Sequence, residues 1–477
     1  MKKDSTVALA FFSSGATVVL RGIIGLAAFV IIARQATGSE LAVYAIASFF
    51  WGISYASGQS LAAQPLIDMR RITSDDVMSA QVIAIGLSAA IGLIVFLLSP
   101  VLGAIYSNIT GLQAGLQTLL WLAPLSALGG VEFSMLQRQM RFSRIAKLQT
   151  AAVLMAGGIA TALAYFVDTV IGLLCIQGLS GPIFALLSMA ARSGRLKGRP
   201  SISAARRVFK VGRHLLLEAN LAVFVTQGLV LLLGLVLPAT QTSLFVAISQ
   251  FVYLITSQLG RIANIVLLPM VRRSAHDKGR VQTTVLNTSY FSNGLVIAPL
   301  IAMYGAPIFI LDLLNIQTDD YVVNVFLLLV ARQIFDATGN TVFSTFRAVG
   351  RPDAGWKWSL FYSLLWFLVS GVAWVLELDL LGVSIVLLVV ASLRLGAVYW
   401  LCTVVKIRFG LYVRFLMPVY ACAVAAVVVS EPLRQMMADL PGPPQLGELA
   451  GSTSLMLAYL SGIIGIYFFS RRRSLTK

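Results

Sequence analysis

Four arginines, Arg21, Arg261, Arg332 and Arg394, stand inside long apolar stretches of a 477-residue chain. A charge at membrane depth costs roughly 3 kcal/mol or more unless it faces protein, water or a ligand. Each of these guanidinium groups is therefore either half of a structural ion pair or part of an anion site, and the neighbouring residues help to separate the two. Arg21 follows Ser14 and Thr17 at spacings of seven and four, on one helical face with no acid one turn away. Arg261 lies in the stripe Gln250, Ser257, Arg261 and Asn264, about 60° wide at 3.6 residues per turn, with Tyr253 on its edge. Both patterns favour an anion site. Arg332 has Asp336 and Asn340 at successive steps of four, so an internal ion pair and a transport role stand side by side. Arg394 and Glu132 lie nearer the basic gaps between stretches and read as structural pairing or snorkelling. Glu218 and Asp336, acids within apolar stretches, are candidates for ion coupling. Tyr44, Ser48, Trp51 and Tyr55 share a helical face that suits either packing or the stacking of sugar rings.

The elements that must carry these groups follow from composition. The chain is 58% hydrophobic and 12% charged, with a mean hydropathy of +0.87. A bilayer core needs about 20 apolar residues per helix. Fourteen such stretches are present, from 7–33 at the start to 451–470 at the end, and they predict an all-α polytopic membrane protein. Thirty of the thirty-six Lys and Arg residues fall in alternate gaps between stretches. By the positive-inside rule those gaps are cytoplasmic, and so are both termini. The net charge of +17 is then accounted for by anionic lipid headgroups, not nucleic acid. Cys175, Cys402 and Cys422 all lie in apolar stretches, and His214 and His276 have no ligand spacing around them. No metal, disulfide or cofactor is expected. The first stretch reads as an uncleaved helix, and no Walker motif points to nucleotide hydrolysis.

The longest inner gap, Arg192 to His214, divides the chain after six helices. The expected organisation is an N-lobe over 1–191, a basic linker over 192–210, a C-lobe over 211–405, and two further helices with a basic tail over 406–477. A weak repeat supports the division. Ala36-Thr37 followed by LAVYAIASFF resembles Ala239-Thr240 followed by LFVAISQFV, and a second pair of basic turns, from Met135 and from Phe346, recurs at nearly the same offset. Parallel repeats of this kind are common among transporters.

Two segments carry a family resemblance. GATVVLRGIIGLAAFVIIARQATGSELAVYAIASFF looks like the opening of bacterial polysaccharide flippases of the Wzx type, and LAPLSALGGVEFSMLQRQMRFSRIAKLQ resembles that family's leucine-glutamine-arginine turn. These flippases belong to the multidrug/oligosaccharidyl-lipid/polysaccharide (MOP) exporter superfamily. The resemblance implies two six-helix lobes around a central cavity and alternating access. It also implies transfer of undecaprenyl-diphosphate-linked oligosaccharide, for exopolysaccharide, capsule or O-antigen, to the periplasmic leaflet of the bacterial inner membrane.

Related lipid flippases carry cavity arginines on helices 1, 2 and 8. Arg21 and Arg261 match the first and last, helix 2 has none here, and Arg332 is the candidate to compensate. In the peptidoglycan-precursor branch the two extra helices form a groove for the lipid tail. Partners implied are the lipid-linked oligosaccharide, membrane lipids and the glycan polymerase machinery. Planar guanidinium groups suit a diphosphate because each donates two hydrogen bonds while staying charged. The alternatives are a cation-coupled multidrug exporter, which usually relies on acidic cavity residues, a polytopic glycan polymerase or ligase, which needs a large outer catalytic loop, and a structural scaffold.

Overall fold

The computed structural model describes residues 20–69, 71–139, 141–190, 198–273, 277–339, 342, 345–346, 349, 351–438 and 444–475, with only the main chain described at 68, 142, 214, 258, 260–273, 278, 352–353, 431, 433–438, 444–446 and 468–475. Among the described residues the apolar stretches are helical and there is no strand. The helices are α1 (Leu20–Ala33), α2 (Gly38–Ile67), α3 (Ser74–Ile105), α4 (Leu112–Arg138), α5 (Phe142–Phe166), α6 (Thr169–Gly178 with Ser180–Ala190) and α7 (Ile202–Val236). They continue as α8 (Ala239–Arg273), α9 (Lys278–Gly305), α10 (Asp320–Thr338), α11 (Pro352–Val375), α12 (Leu380–Val405), α13 (Phe409–Ala438) and α14 (Pro444–Leu475). Among the described residues twelve helices are long and apolar enough to cross a membrane, and the bent pair of α6 makes a thirteenth. On α3, Ile94, Leu97 and Val101 are each more than half exposed, as side chains that meet lipid must be.

Acids that look like loop residues in the sequence turn out to start the helices. Thr37 with Glu40 and Thr73 with Asp76 form capping boxes at α2 and α3. Asp168, Asp277, Asp319 and Asp379 cap α6, α9, α10 and α12 by accepting from backbone N–H groups. Such caps satisfy donors that the first helical turn leaves open. Ser201 does the same for α7, which therefore begins nine residues before the apolar stretch expected from Val211. Half of the expected 192–210 linker is helix. Helix also enters both sides of the gap before the last apolar stretch, since α13 runs to Ala438 and α14 starts at Pro444.

Among the described residues four helices are irregular, one of them α4, which breaks at Thr118. A π-helical turn, Gln59–Ala63, interrupts α2. A bend of 44° divides α6 between Gly178 and Ser180, with Pro182 just beyond to weaken the hydrogen-bond ladder. The regular helix of α12 breaks at Leu393, directly before Arg394.

The chain divides into two compact units, Met1–Ala247 with Ser359–Glu377 and Ile248–Trp358 with Leu378–Lys477. In the first, α3 packs on α4, α5 on α6, and α7 on α2. The second part of α11 joins it through Trp366, fully buried, whose Nε1 donates to the Val225 carbonyl at 3.0 Å. The starts of α2 and α8 also touch, leaving so little room that a methyl group on Gly38 would stand 2.8 Å from Ser243 Oγ. In the second unit α9, α13 and α14 pack together, and α10 lies against α9 and α12.

Candidate functional site

A cluster of three buried charged side chains lies in the second unit. Arg332 and Asp336 sit one turn apart on α10, with Nε 3.5 Å from Oδ2. Arg394, entering from the break in α12, brings its Nε to 2.9 Å from Oδ1 of the same carboxylate. The three side chains keep only 13%, 10% and 11% of their surface exposed. The break at Leu393 thus delivers a guanidinium to the end of α10, where a methyl group on Gly339 would stand 3.0 Å from Arg394 Nη1. Carbonyl groups at a helix C-terminus favour a cation there. The i, i+4 spacing made Arg332–Asp336 legible from sequence. The second arginine was read only as a structural pairing or snorkelling group, and its partner, 58 residues away in the chain, carries no local signal.

Beside this cluster Gln333 Nε2 donates to Thr256 Oγ1 at 3.1 Å, tying α10 to α8. The polar stripe of α8 is part buried here. Gln250 is buried, while Tyr253 and Ser257 are half-buried. The side chains of Arg261 and Asn264, and the whole of Asn340, lie outside the described residues, as do Ser14 and Thr17 of the first stretch.

In the first unit the expected aromatic face of α2 separates into two parts. Tyr44 and Ser48 are each 1% exposed and belong to the packed interior. Tyr44 Oη accepts from Gln177 Nε2 of α6 at 2.6 Å, and its ring lies 6.1 Å from that of Phe29. Of the two uses open to that face, packing is the one that the burial of Tyr44 and Ser48 fits. Trp51 and Tyr55 are half-buried and stacked, with ring centroids 5.1 Å apart and planes at 10°. Tyr55 Oη accepts from Gln59 Nε2 at 3.0 Å at the start of the π turn. Two residues before Gln59, Ser57 donates to Asn220 Oδ1 of α7 at 3.0 Å. Glu218 is buried on the same helix. Arg21 is half-buried on α1. Glu132 is buried on α4 and accepts from Ser188 Oγ of α6 at 3.3 Å.

Sequence reasoning missed one residue of the first unit that organises the end of α2. Arg138, at the end of α4, donates through Nη1 to the carbonyls of Leu66 at 2.8 Å, Ile67 at 3.3 Å and Met69. Those are carbonyls that the end of a helix leaves open. The leucine-glutamine-arginine turn thus fastens α4 to α2 below the π turn. That turn has no room to spare, since a methyl group on Gly212 of α7 would stand 2.2 Å from the Leu61 carbonyl oxygen.

Together these features define a class, an all-α polytopic membrane protein with charged groups held inside its helices. Its fold is that of the MOP superfamily. The structure aligns with the lipid II flippase MurJ in an inward closed conformation over 97% of this chain and 99% of that one, at a TM-score of 0.64 and 14% identity. An inward-facing multidrug resistance MATE family transporter of the MOP superfamily covers 85% of this chain and 99% of its own, at 0.62 and 14%. A MOP superfamily transporter from Pyrococcus furiosus covers 83% and 95%, at 0.57 and 14%. The residues left outside the MurJ alignment number about 14, 3% of 477, fewer than either α13 or α14 contains. Both final helices therefore have counterparts in that fold. No curated protein matches the sequence. A family model described as polysaccharide biosynthesis protein matches residues 31–314, well over half of the chain, and the chain belongs to that family.

Proposed function

We propose that this protein is a flippase that moves undecaprenyl-diphosphate-linked oligosaccharide units from the cytoplasmic to the periplasmic leaflet of a bacterial inner membrane by alternating access. The observation that carries the reading is the retention of guanidinium groups inside the helices of a polysaccharide biosynthesis family member. Arginine at membrane depth persists where it has a partner or an anion to meet, and the linkage of such a substrate is a diphosphate. The fold shared with MurJ over nearly the whole chain, final helices included, supports a lipid-linked substrate. The headgroup would export glycan for exopolysaccharide, capsule or O-antigen and pass it to the polymerase machinery.

Arg21, Arg261 and Arg332 are the candidates for the diphosphate. Trp51, Tyr55, Gln250, Tyr253 and Ser257 are those for sugar, with Ser14, Thr17, Asn264 and Asn340 alongside them. Glu218 is our candidate for ion coupling. A cation approaching Asp336 would meet two guanidinium groups, so we assign that carboxylate a counter-charge role instead. Two lobes over 1–191 and 211–405 remain our reading of what moves, with 406–477 as an appendage and both termini cytoplasmic.

Substituting Arg21→Ala or Arg261→Ala should abolish surface glycan while membrane protein abundance is unchanged, as measured by glycan staining beside immunoblotting. Full export by both variants would remove these residues from the mechanism.

A further inference from the structure

The arrangement around Asp336 has a physical consequence for how an anion could be captured. Two arginines share one carboxylate, and they do so unequally. Arg394 is in close contact at 2.9 Å, whereas Arg332 stands off at 3.5 Å. In a buried two-member pair, removing one partner strands the other charge and is strongly destabilising. An arginine in such a pair is therefore poorly available to a ligand. A third member changes this, because Asp336 stays paired when Arg332 turns away. Arg394 is itself supported from a second side, at the C-terminal end of α10 beside Gly339. Arg332 makes the longer contact, while the two guanidinium side chains are about equally buried, at 13% and 11% exposed. The geometry is that of a fixed pair, Arg394 with Asp336, and a third charge kept nearby.

We propose that Arg394 is a positioning residue that holds Asp336 so that Arg332 can leave the carboxylate for the diphosphate of the substrate. The inference rests on the flippase reading and names the residue that makes one of its arginines exchangeable. Arg394 touches no substrate. It acts by keeping Asp336 occupied. Without it, Asp336 would hold Arg332, and the substrate would have to compete with a buried carboxylate for that guanidinium.

The test measures binding of undecaprenyl diphosphate to the purified full-length protein in phosphatidylcholine nanodiscs, with thermal unfolding followed for each variant. R332Q should weaken binding by more than about tenfold, the scale expected for a buried charged partner. R394Q should weaken it by a similar factor although Arg394 makes no contact with the probe. The double variant D336N/R394Q, which removes the carboxylate that would trap Arg332, should bind as the wild type does. Binding is compared at equal folded fraction from the unfolding curves, where a purely structural role for Arg394 predicts no loss of affinity in R394Q and hence nothing to rescue.

Should R394Q not fold, the double variant compared with wild type and R332Q carries the test, and loss of binding by the double variant overturns the proposal. Binding unaffected by R332Q or by R394Q, or not restored by D336N, overturns this inference and leaves the flippase reading standing. Absence of probe binding by the wild type overturns both. Displacement of the probe by an equal concentration of phosphatidylglycerol would show a site for membrane headgroup phosphate and would also overturn the proposal.

Discussion

Two arginines, each delivered to the end of a neighbouring helix, show how differently this protein uses the same side chain. In the first unit Arg138 of α4 donates to the main-chain carbonyls of Leu66, Ile67 and Met69. In the second, Arg394 of α12 reaches the end of α10 and meets a side-chain carboxylate already approached by Arg332. Carbonyl groups cannot turn away, so Arg138 is a fixed fastening that keeps α2 in place below its π turn. A carboxylate between two guanidinium groups can release one while the other holds it, and in our proposal the closer Arg394 is the one that stays. The contrast teaches that a buried charge marks function less by its presence than by what it is paired with.

The largest effect expected from breaking this contrast is at Asp336. D336N leaves two buried guanidinium groups facing each other and should destabilise the protein by about 3–5 kcal/mol, the usual scale for stranding a buried charge. Thermal unfolding in detergent would measure it, and D336N/R394Q should recover part of the loss. An unchanged midpoint for D336N would mean that the cluster is solvated and the contrast false. Next comes Arg138. R138A removes charge-assisted bonds to three carbonyls and should cost about 2–3 kcal/mol, read as a lower unfolding midpoint and reduced abundance, while R332Q should alter binding with a smaller stability change. If R138A unfolds like the wild type, the fastening of α4 to α2 carries no weight. The smallest effect sharpens the comparison from outside. Arg207 pairs with Asp76 at 2.7 Å, but its side chain is half exposed. R207A should therefore cost only about 0.5 kcal/mol and lose that effect in high salt.

Much of this architecture is written locally. Helix positions follow from apolar run length, and the Arg332–Asp336 contact follows from a spacing of four. What escaped the sequence is tertiary or polar. The early start of α7 was hidden because its first turns are cationic, and hydropathy sees only the part that enters the membrane. Tyr44 and Tyr55 share one helical face in sequence, yet Gln177 of α6 buries the first while the second stacks on Trp51. Arg394 and Arg138 find partners 58 and about 70 residues away along the chain, at distances no periodicity reports. Asp168, Asp319 and Asp379 look like loop residues in the sequence, and only in three dimensions do they show as caps.

The central claim is that the protein moves a lipid-linked oligosaccharide. It is tested most directly by deleting the encoding gene, extracting lipid-linked oligosaccharides with their leaflet assigned, and staining for surface polysaccharide. The account predicts undecaprenyl-diphosphate-linked repeat units accumulating on the cytoplasmic leaflet together with loss of surface glycan, both reversed by the wild-type gene and not by R21A. Normal surface glycan with altered tolerance to small cationic drugs would contradict it and place the protein with the multidrug exporters of its fold.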